Sequence, residues 1–264
     1  MSHKKTGRTK RNKKCVVPVD NEETFSDVLN YPFVPKEIPS NSDIKIRMPF
    51  ELGAPHKEFL HLLQTNKTKA VFLDGPAGTG KTYLSVLAGL DMLNGGFIES
   101  IYYVRSIVES ASRQMGALPG EVEDKFLPWT MPLIDKVSEL TSKAVGEDLF
   151  ATGVLKGMPI NYCRGLTFNR ALVIVDEAQN LTKEEITTIL TRFGHKSKYA
   201  ILGDASQADI RHSGFRTILD AFNTPESVAQ SIHCLKFTKN EIVRSEILKY
   251  IVAVLEKIPR HDHN

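Results

Sequence analysis

The sequence predicts an α/β domain with a mostly parallel sheet, and three observations support this prediction. The chain has 264 residues, 41% of them hydrophobic, which is enough to bury one full core. Five short apolar runs have the length and composition of strands: AVFLDG, SIYYVR, ALVIVDE, KYAILGD and SIHCLKF. Stretches with helical spacing separate these runs, and alternating strands and helices require crossover connections with parallel pairing.

Composition divides the chain into three parts. Residues 1–14 hold seven Lys or Arg and no acid, so we interpret them as a basic disordered arm. Residues 15–53 are rich in Pro, Asn and Ser without periodicity, which is typical of an extended segment. The folded domain is predicted to span 54–264, with a helical insertion at about 106–157 between two of the strands.

Two helices carry clear signals. In LTKEEITTILTRFG, Thr182 and Glu185 are spaced as a capping box, and Ile186 and Ile189 lie on one face. A closing helix is predicted near the end of the chain. Its core-facing stripe would consist of Ile247, Leu248, Ile251, Leu255 and Ile258.

Charge and hydropathy limit the function classes. No run of about 18 apolar residues is present, and no apolar stretch follows the basic N-terminus, so we predict neither a membrane span nor a secretory signal. We therefore expect a cytoplasmic protein. Without the seven bases of the arm, 27 basic residues face 31 acidic ones. The arm could neutralise nucleic-acid phosphates or be a solvated tail, and composition does not separate these alternatives.

A phosphate-binding loop follows the first predicted strand. GPAGTGKT fits the pattern G-x-x-x-x-G-K-[ST], with a strand before it and a helix after it. Lys81 is expected to reach the β and γ phosphates, and the Thr82 hydroxyl to ligate Mg²⁺. The predicted nucleotide-binding residues of the loop are Gly75, Pro76, Ala77, Gly78, Thr79, Gly80, Lys81 and Thr82.

Two further strand ends supply candidate catalytic groups. Asp176 ends the run ALVIV and is a candidate Mg²⁺ ligand, and Glu177 could polarise the attacking water. The turn GDASQAD presents Gln207, which could contact the γ phosphate or hold that water. Acids at a strand end can also be plain turn residues, and GDxSQ could be a simple turn. Their shared position at the carboxyl ends of the strands favours the functional interpretation.

These motifs together resemble the PhoH family of ATPases. The resemblance rests on GPAGTGKTYL, VDEAQN and GDASQADI, in that order, and on YCRGLTFNRA before the second of these. The stretch GALPGEVEDKFLPWTMPLID is similar to a segment that points to this family specifically. Covering residues from about 54 to 250, the resemblance implies a RecA-like P-loop NTPase core related to superfamily 1 helicases. It also implies ATP hydrolysis with Mg²⁺ and a role with RNA or single-stranded DNA.

The resemblance implies roles for two more residues. Family members are thought to form homo-oligomeric rings, such as hexamers, and Arg244 matches an arginine that could reach a neighbour's nucleotide as an arginine finger. The alternative for Arg244 is an exposed helical arginine. His56 matches the position of a glutamine expected to read the adenine, so it is the candidate base contact and the base preference is open.

Nucleic-acid contacts would need basic residues beside aromatic platforms. Arg105, Arg113 and Lys125 are the candidates, with Phe126 and Trp129 nearby, because the insertion is expected to overhang the strand ends. Each could equally take part in packing or in a subunit contact.

Three function classes are compatible with the phosphate loop. The leading one is an ATPase coupled to RNA or single-stranded nucleic acid, with helicase activity as one form of it. The alternative is an ATP-driven switch acting on protein partners. The third is a small-molecule kinase, which Glu177 and Gln207 disfavour because activating water would waste the γ phosphate.

Overall fold

The computed structural model describes residues 44–48, 50–106, 122–207, 210, 212–243, 247, 250, 251 and 254, and of residues 122–125 only the backbone. Several predictions lie outside the described residues: the basic arm at 1–14, most of the extended segment, Arg113, Arg244 and the side chain of Lys125. At the described end of the extended segment, residues 44–48 form no helix or strand, and Ile44 and Ile46 pack against the core.

Helices and strands alternate along the described chain. They are α1 (Ala54–Gln64), β1 (Ala70–Asp74), α2 (Lys81–Asn94), β2 (Ser100–Arg105), α3 (Val122–Leu140), α4 (Lys143–Ala151), β3 (Leu155–Pro159), β4 (Ala171–Val175), α5 (Lys183–Leu190), β5 (Lys198–Gly203), α6 (Phe215–Phe222), α7 (Pro225–Ala229) and β6 (Ile232–Lys236). Short 3₁₀ turns cover Ile160–Cys163, Ala178–Asn180 and Lys239–Glu241. Within the described ranges, no helix is both long enough and apolar enough to cross a membrane.

The six strands form one sheet in the order β3-β2-β4-β5-β1-β6. Every neighbouring pair is parallel, which confirms the predicted α/β class. Strand β5 lies between β1 and β4, so the carboxyl ends of these three strands are adjacent at one edge of the sheet. This edge is where parallel α/β sheets bind ligands, and it is where the predicted site residues follow the strands.

Strand β3 differs from the prediction, which placed its residues at the end of a helical insertion. The insertion does contain α3 and α4, but its last described residues pair with β2 at the edge of the sheet. The run LKGMP has few β-forming residues, so its pattern did not indicate a strand. Gly157 is needed there because a Cβ would come within 2.4 Å of the Thr130 backbone, and Gly157 N–H donates to Thr130 Oγ1 at 3.0 Å.

Helices cover both faces of the sheet. Alternate residues of β1 point to opposite sides, with Val71 and Leu73 in one apolar cluster and Phe72 in the other. The first cluster is closed by α1, α2 and α3, and the second by α5 and α6. Burial on both faces explains why the central strands are continuous apolar runs.

The predicted start of α5 is confirmed. Thr182 Oγ1 accepts from Glu185 N–H at 3.2 Å, and the Glu185 carboxylate accepts from Thr182 N–H at 2.8 Å. Ile186 and Ile189 are fully buried, as their spacing predicted. This cap begins the helix that follows the β4 end, so it helps to fix the turn carrying the site carboxylates.

The predicted burial of the closing helix is wrong where the structure describes it. Positions 247, 250, 251 and 254 are helical, but Ile247 is 61% exposed and Ile251 is 41% exposed. Leu248, Leu255 and Ile258 lie outside the described residues. Helical spacing shows that one face is apolar, but it does not show whether the same chain covers that face.

Candidate active site

The phosphate loop joins β1 to α2 in a conformation that glycine makes accessible. Gly78 and Gly80 have φ angles of 84° and 82°, in the left-handed region where a Cβ would be strained. Two hydrogen bonds also hold the loop in place, one within it and one from outside it. Thr79 is fully buried and its Oγ1 donates to the Pro76 carbonyl at 2.9 Å, while Val243 N–H donates to the Gly78 carbonyl at 3.1 Å.

Lys81 begins α2 and turns its ammonium back toward the loop. Its Nζ donates to the carbonyls of Gly75 at 2.5 Å and Pro76 at 3.0 Å. Burial lowers the pKa of this lysine, and the carboxylates of Asp204 and Asp176 offset part of that effect. The result is a cation held at the loop and surrounded by acceptors, where a bound phosphate would find a partner.

Asp176 is the best-anchored carboxylate of the site. It follows β4, is 6% exposed, and its Oδ2 accepts from Thr82 Oγ1 at 3.0 Å and from Tyr103 OH at 2.5 Å. Its Oδ1 accepts from Glu177 N–H at 3.0 Å. Burial and the neighbouring Asp176 carboxylate raise the pKa of the Tyr103 phenol, so this hydroxyl remains a proton donor. Three donors therefore fix the orientation of this carboxylate.

The donor set fits a Mg²⁺ ion bound together with a nucleotide. Mg²⁺ in phosphate-transfer sites is held by one or two carboxylates plus substrate phosphates, and here the Thr82 hydroxyl and the Asp176 carboxylate are already in contact. A third oxygen supports the fit, because the buried Asp204 Oδ2 has no hydrogen-bond partner among the described residues. Thr82 and Asp176 are the residues that would hold the ion.

Glu177 follows in an unusual backbone conformation. Its φ of 54° lies in the left-handed region, which costs a non-glycine residue about 1–3 kcal/mol and often marks a functional position. Its carboxylate accepts from Gln179 Nε2 at 2.6 Å and lies 4.0 Å from the Arg105 guanidinium. The turn thereby holds a carboxylate at the rim of the phosphate site.

Gln179 is a site residue that sequence reasoning missed. It is 4% exposed, and its side chain links two strand ends: Nε2 donates to Glu177 and Oε1 accepts from Asp204 N–H at 3.1 Å. The available signal was its position in VDEAQN, two residues after Glu177. Gln179 couples the position of the Glu177 carboxylate to the turn after β5.

The turn after β5 carries Gln207. Asp204 Oδ1 accepts from Ser206 N–H at 3.0 Å and from Ser206 Oγ at 2.5 Å, which closes the turn tightly. Gln207 N–H donates to the Asp204 carbonyl at 2.9 Å, and Gln207 lines the same cavity as the phosphate loop.

One cavity of about 500 Å³ brings most of the predicted residues together. Its wall contains Ala77, Gly78, Thr79, Gly80, Lys81, Thr82, Asp176, Glu177 and Gln207. It also contains residues that the sequence did not single out, namely Phe50, Tyr83, Lys136, Glu139, Gln179 and Val243. The cavity wall therefore combines the phosphate loop with aromatic, apolar and charged side chains.

His56 is placed differently from its predicted role as a base contact. It is 3% exposed, its Nδ1 accepts from Gly53 N–H at 3.1 Å, and its Nε2 lies 3.2 Å from the Glu241 carbonyl. A base contact would have to break one of these bonds. Phe50, whose ring packs 5.8 Å from the His56 ring, lines the cavity, and its ring lies against Gly80 of the phosphate loop.

The candidate nucleic-acid residues are only partly described. The Arg105 side chain is 37% exposed and lies beside Glu177, at the rim of the nucleotide cavity. Phe126 packs edge-on against Tyr162 with the ring centres 4.8 Å apart, and it is half-buried, as is Trp129. The packing alternative therefore fits Phe126.

Comparisons with known proteins show the family of this chain. The model of the PhoH family, described as PhoH-like protein, matches residues 53–256. A PhoH-like protein of Bacillus subtilis (strain 168) is 34% identical over 201 residues, 76% of this chain and 62% of the relative. A PhoH-like protein of Mycobacterium tuberculosis (strain ATCC 25618 / H37Rv) is 35% identical over 185 residues, 69% of this chain and 51% of the relative.

A third relative is Protein PhoH2 of Bacillus subtilis (strain 168), which is 39% identical over 155 residues, 57% of this chain and 35% of the relative. The matched part of this chain thus spans between about half and three-fifths of the two PhoH-like proteins. The family match includes the phosphate loop, the β4 carboxylates and the β5 turn. With a parallel sheet that carries a phosphate loop at the end of β1, this chain belongs to the PhoH family of P-loop NTPases.

Proposed function

We propose that this chain binds and hydrolyses ATP in a Mg²⁺-dependent reaction coupled to RNA or single-stranded DNA. One observation carries the hydrolytic part of the proposal. The Lys81 ammonium, the anchored Asp176 and the Glu177 carboxylate share the wall of one cavity beside the phosphate loop. Phosphate binding, metal binding and water activation thus have separate groups within reach of one another.

The chemistry follows from these positions. The backbone N–H groups of residues 77–80 and the Lys81 ammonium bind the phosphates. Thr82 and Asp176 would hold Mg²⁺, which would supply positive charge that stabilises the phosphates. Glu177 accepts a proton from the attacking water while the oxygen of that water bonds to the γ phosphorus. The bond from that phosphorus to the β-phosphate oxygen breaks, releasing ADP and inorganic phosphate.

Arg105 suggests how nucleic acid would influence this reaction. Its 4.0 Å ion pair with Glu177 joins two side chains that are 37% and 47% exposed, and such surface pairs contribute little stability. A nucleic-acid phosphate that binds Arg105 would compete with Glu177 for the guanidinium and leave the carboxylate free to take the water proton. The resemblance to helicase-like NTPases supports the same partner class.

Four further elements of the proposal stay predictions. They are a homo-oligomeric ring, the arginine-finger role of Arg244, the nucleic-acid roles of Arg113 and Lys125, and a cytoplasmic location. The alternative function, an ATP-driven switch acting on protein partners, would use the same catalytic groups.

Steady-state ATP hydrolysis with and without single-stranded RNA and DNA tests the coupling. We expect stimulation that weakens as salt rises, because phosphate contacts release counterions. An Arg105→Ala variant should lose most of that stimulation, whereas Arg216→Ala, which removes an exposed arginine of α6, should keep it. Robust hydrolysis that neither RNA nor DNA changes would favour the protein-partner switch instead.

Replacing Tyr103 by Phe tests the anchoring of Asp176. Removing the hydroxyl leaves Thr82 as the remaining donor to Asp176 Oδ2 among the described residues, so we expect the Mg²⁺ concentration for half-maximal turnover to rise about tenfold or more. Thermal unfolding should shift little, since the ring remains. Tyr102→Phe is the matched control, because its hydroxyl bonds Lys156 on the same strand pair, away from Asp176. Equal Mg²⁺ dependence in both variants would contradict the anchoring role.

A further inference from the structure

A second cavity opens at the opposite edge of the sheet from the nucleotide site. It has a volume of about 900 Å³ and is lined at the amino ends of β1, β5 and β6. Lys69 directly precedes β1, Lys198 begins β5 and Ile232 begins β6, and all three line the cavity. We call this cavity the amino-edge cleft.

The amino-edge cleft is strongly basic. Among the described residues, four lysines line it, Lys67, Lys69, Lys196 and Lys198, and no acidic residue does. Lys67, Lys69 and Lys196 are exposed, and within the described ranges none of the three makes an ion pair. Outside the N-terminal arm the chain has more acids than bases, so this cleft contrasts in charge with the rest of the domain.

Lys198 has a structural role in the cleft. It is 7% exposed, and its ammonium donates to the carbonyls of Leu63, at 3.1 Å, and Thr65, at the C-terminal end of α1. Burial lowers the pKa of Lys198 to about 8. The three exposed lysines, Lys67, Lys69 and Lys196, are therefore the ones available to contact a ligand. Lys198 adds positive charge beneath them.

The backbone that carries these lysines is held in place. Lys69 N–H donates to the Ser231 carbonyl at 2.9 Å, fixing the segment before β1. On the opposite side, Gly194 N–H donates to Ser197 Oγ at 3.1 Å, and His195 N–H donates to Asn169 Oδ1 at 2.8 Å. The cleft is thus formed by fixed loops, which reduces the ordering needed on binding.

An exposed aromatic ring lies in the same cleft. Phe97 is 53% exposed, and its ring lies over Gly95, where a Cβ would come within 2.6 Å of the Phe97 ring. An exposed aromatic ring offers a flat face on which another ring can stack. Lysines that track a phosphate backbone, next to an aromatic ring on which a base stacks, are the features that single-stranded nucleic-acid sites combine.

We propose that the amino-edge cleft binds single-stranded nucleic acid, with phosphates on Lys67, Lys69 and Lys196 and a base stacked on Phe97. This inference rests on the proposed coupling to nucleic acid and adds a place where the strand is held. Since the cleft and the phosphate loop lie at opposite edges of the sheet, the cleft anchors the strand without contacting the reacting phosphates.

The test is fluorescence anisotropy of labelled oligo(U) RNA and oligo(dT) DNA of about 20 nucleotides with the full chain, over a range of salt concentrations. The test variant is Lys67→Ala/Lys69→Ala/Lys196→Ala. We expect about tenfold or weaker binding and a salt slope smaller by about 2, since each single-strand phosphate contact contributes roughly 0.7. The control variant, Lys57→Ala/Lys143→Ala/Lys183→Ala, removes three exposed lysines elsewhere and should bind as the wild type does.

Phe97 provides a second, independent measurement. Phe97→Ala should weaken binding about fivefold or more, whereas Phe97→Tyr, which keeps the ring, should restore it. Wild-type affinity in the triple-lysine variant, or equal losses in test and control variants, would overturn the cleft while leaving the proposed coupling intact. Labelled polyglutamate is a second probe. If the triple-lysine variant lost binding to polyglutamate but kept wild-type binding to RNA and DNA, the cleft would be a site for an acidic protein partner and not for nucleic acid. If the wild type bound neither RNA nor DNA, both the cleft and the proposed coupling would be overturned. ATP hydrolysis in the same preparations would then show whether the catalytic proposal still holds.

Discussion

Replacing Glu177 by Gln is expected to slow ATP turnover about a hundredfold or more while leaving ATP binding close to that of the wild type. The amide cannot accept the proton of the attacking water, and a positioned general base contributes about 10²–10⁴-fold to the rate. The amide oxygen can still accept from Gln179 Nε2, which now donates at 2.6 Å, so the turn after β4 should keep its geometry. Phosphate release and equilibrium ATP binding measure the two effects separately.

The matched control is Glu58→Gln, which changes an exposed glutamate of α1 in the same way. It should hydrolyse ATP at the wild-type rate. Loss of ATP binding in Glu177→Gln would instead indicate that the carboxylate holds the nucleotide site together, which contradicts its assignment as the general base.

Replacing Lys81 by Ala is expected to remove both tight ATP binding and turnover, lowering the rate about a hundredfold or more. In the proposed mechanism the ammonium is the cation that binds the phosphates, and removing one such donor from an enclosed site costs about 10²–10³-fold in rate. The carboxylates of Asp204 and Asp176 would also lose the positive charge between them. ATP binding by calorimetry, together with the hydrolysis rate, measures the effect.

A fold control is needed for this variant because Lys81 is partly buried. Its thermal unfolding should remain a single transition, and Lys57→Ala, on the exposed face of α1, should retain full activity. Unchanged hydrolysis in a folded Lys81→Ala protein would mean that the phosphate loop is not where ATP reacts.

The central strands were predictable because burial on both faces leaves a strong pattern. Strands β1, β4 and β5 are buried throughout and consist mainly of apolar residues. Asp74 ends β1, Asp176 follows β4, and the turn containing Asp204 follows β5, so their order along the chain also predicted which groups would meet. The edge strand β3 gave no such pattern, since its sequence includes Lys156, Gly157 and Pro159. Its identity as a strand depends on pairing with β2 and on the close approach of α3 to Gly157.

The contacts that orient the candidate catalytic groups were harder to predict. Tyr103 lies in an apolar strand and has the pattern of a core residue; its bond to Asp176 depends on the parallel register that puts β2 beside β4. Gln179 similarly acts across two strand ends. His56 shows the opposite case, because the resemblance suggested a base contact but local bonds to Gly53 and Glu241 engage both ring nitrogens. Local motifs indicate which chemistry is present, whereas its alignment depends on long-range packing.

The most direct test of the central claim is a single comparison of phosphate release from ATP, with Mg²⁺, by the wild type and Glu177→Gln. The cavity that joins the phosphate loop to the β4 carboxylates predicts steady release by the wild type and release slower by about a hundredfold or more in the variant, with ATP still bound by both. Equal rates in the two proteins, or no release by a folded wild type that binds ATP, would mean that Glu177 is not the general base of an ATPase at this site.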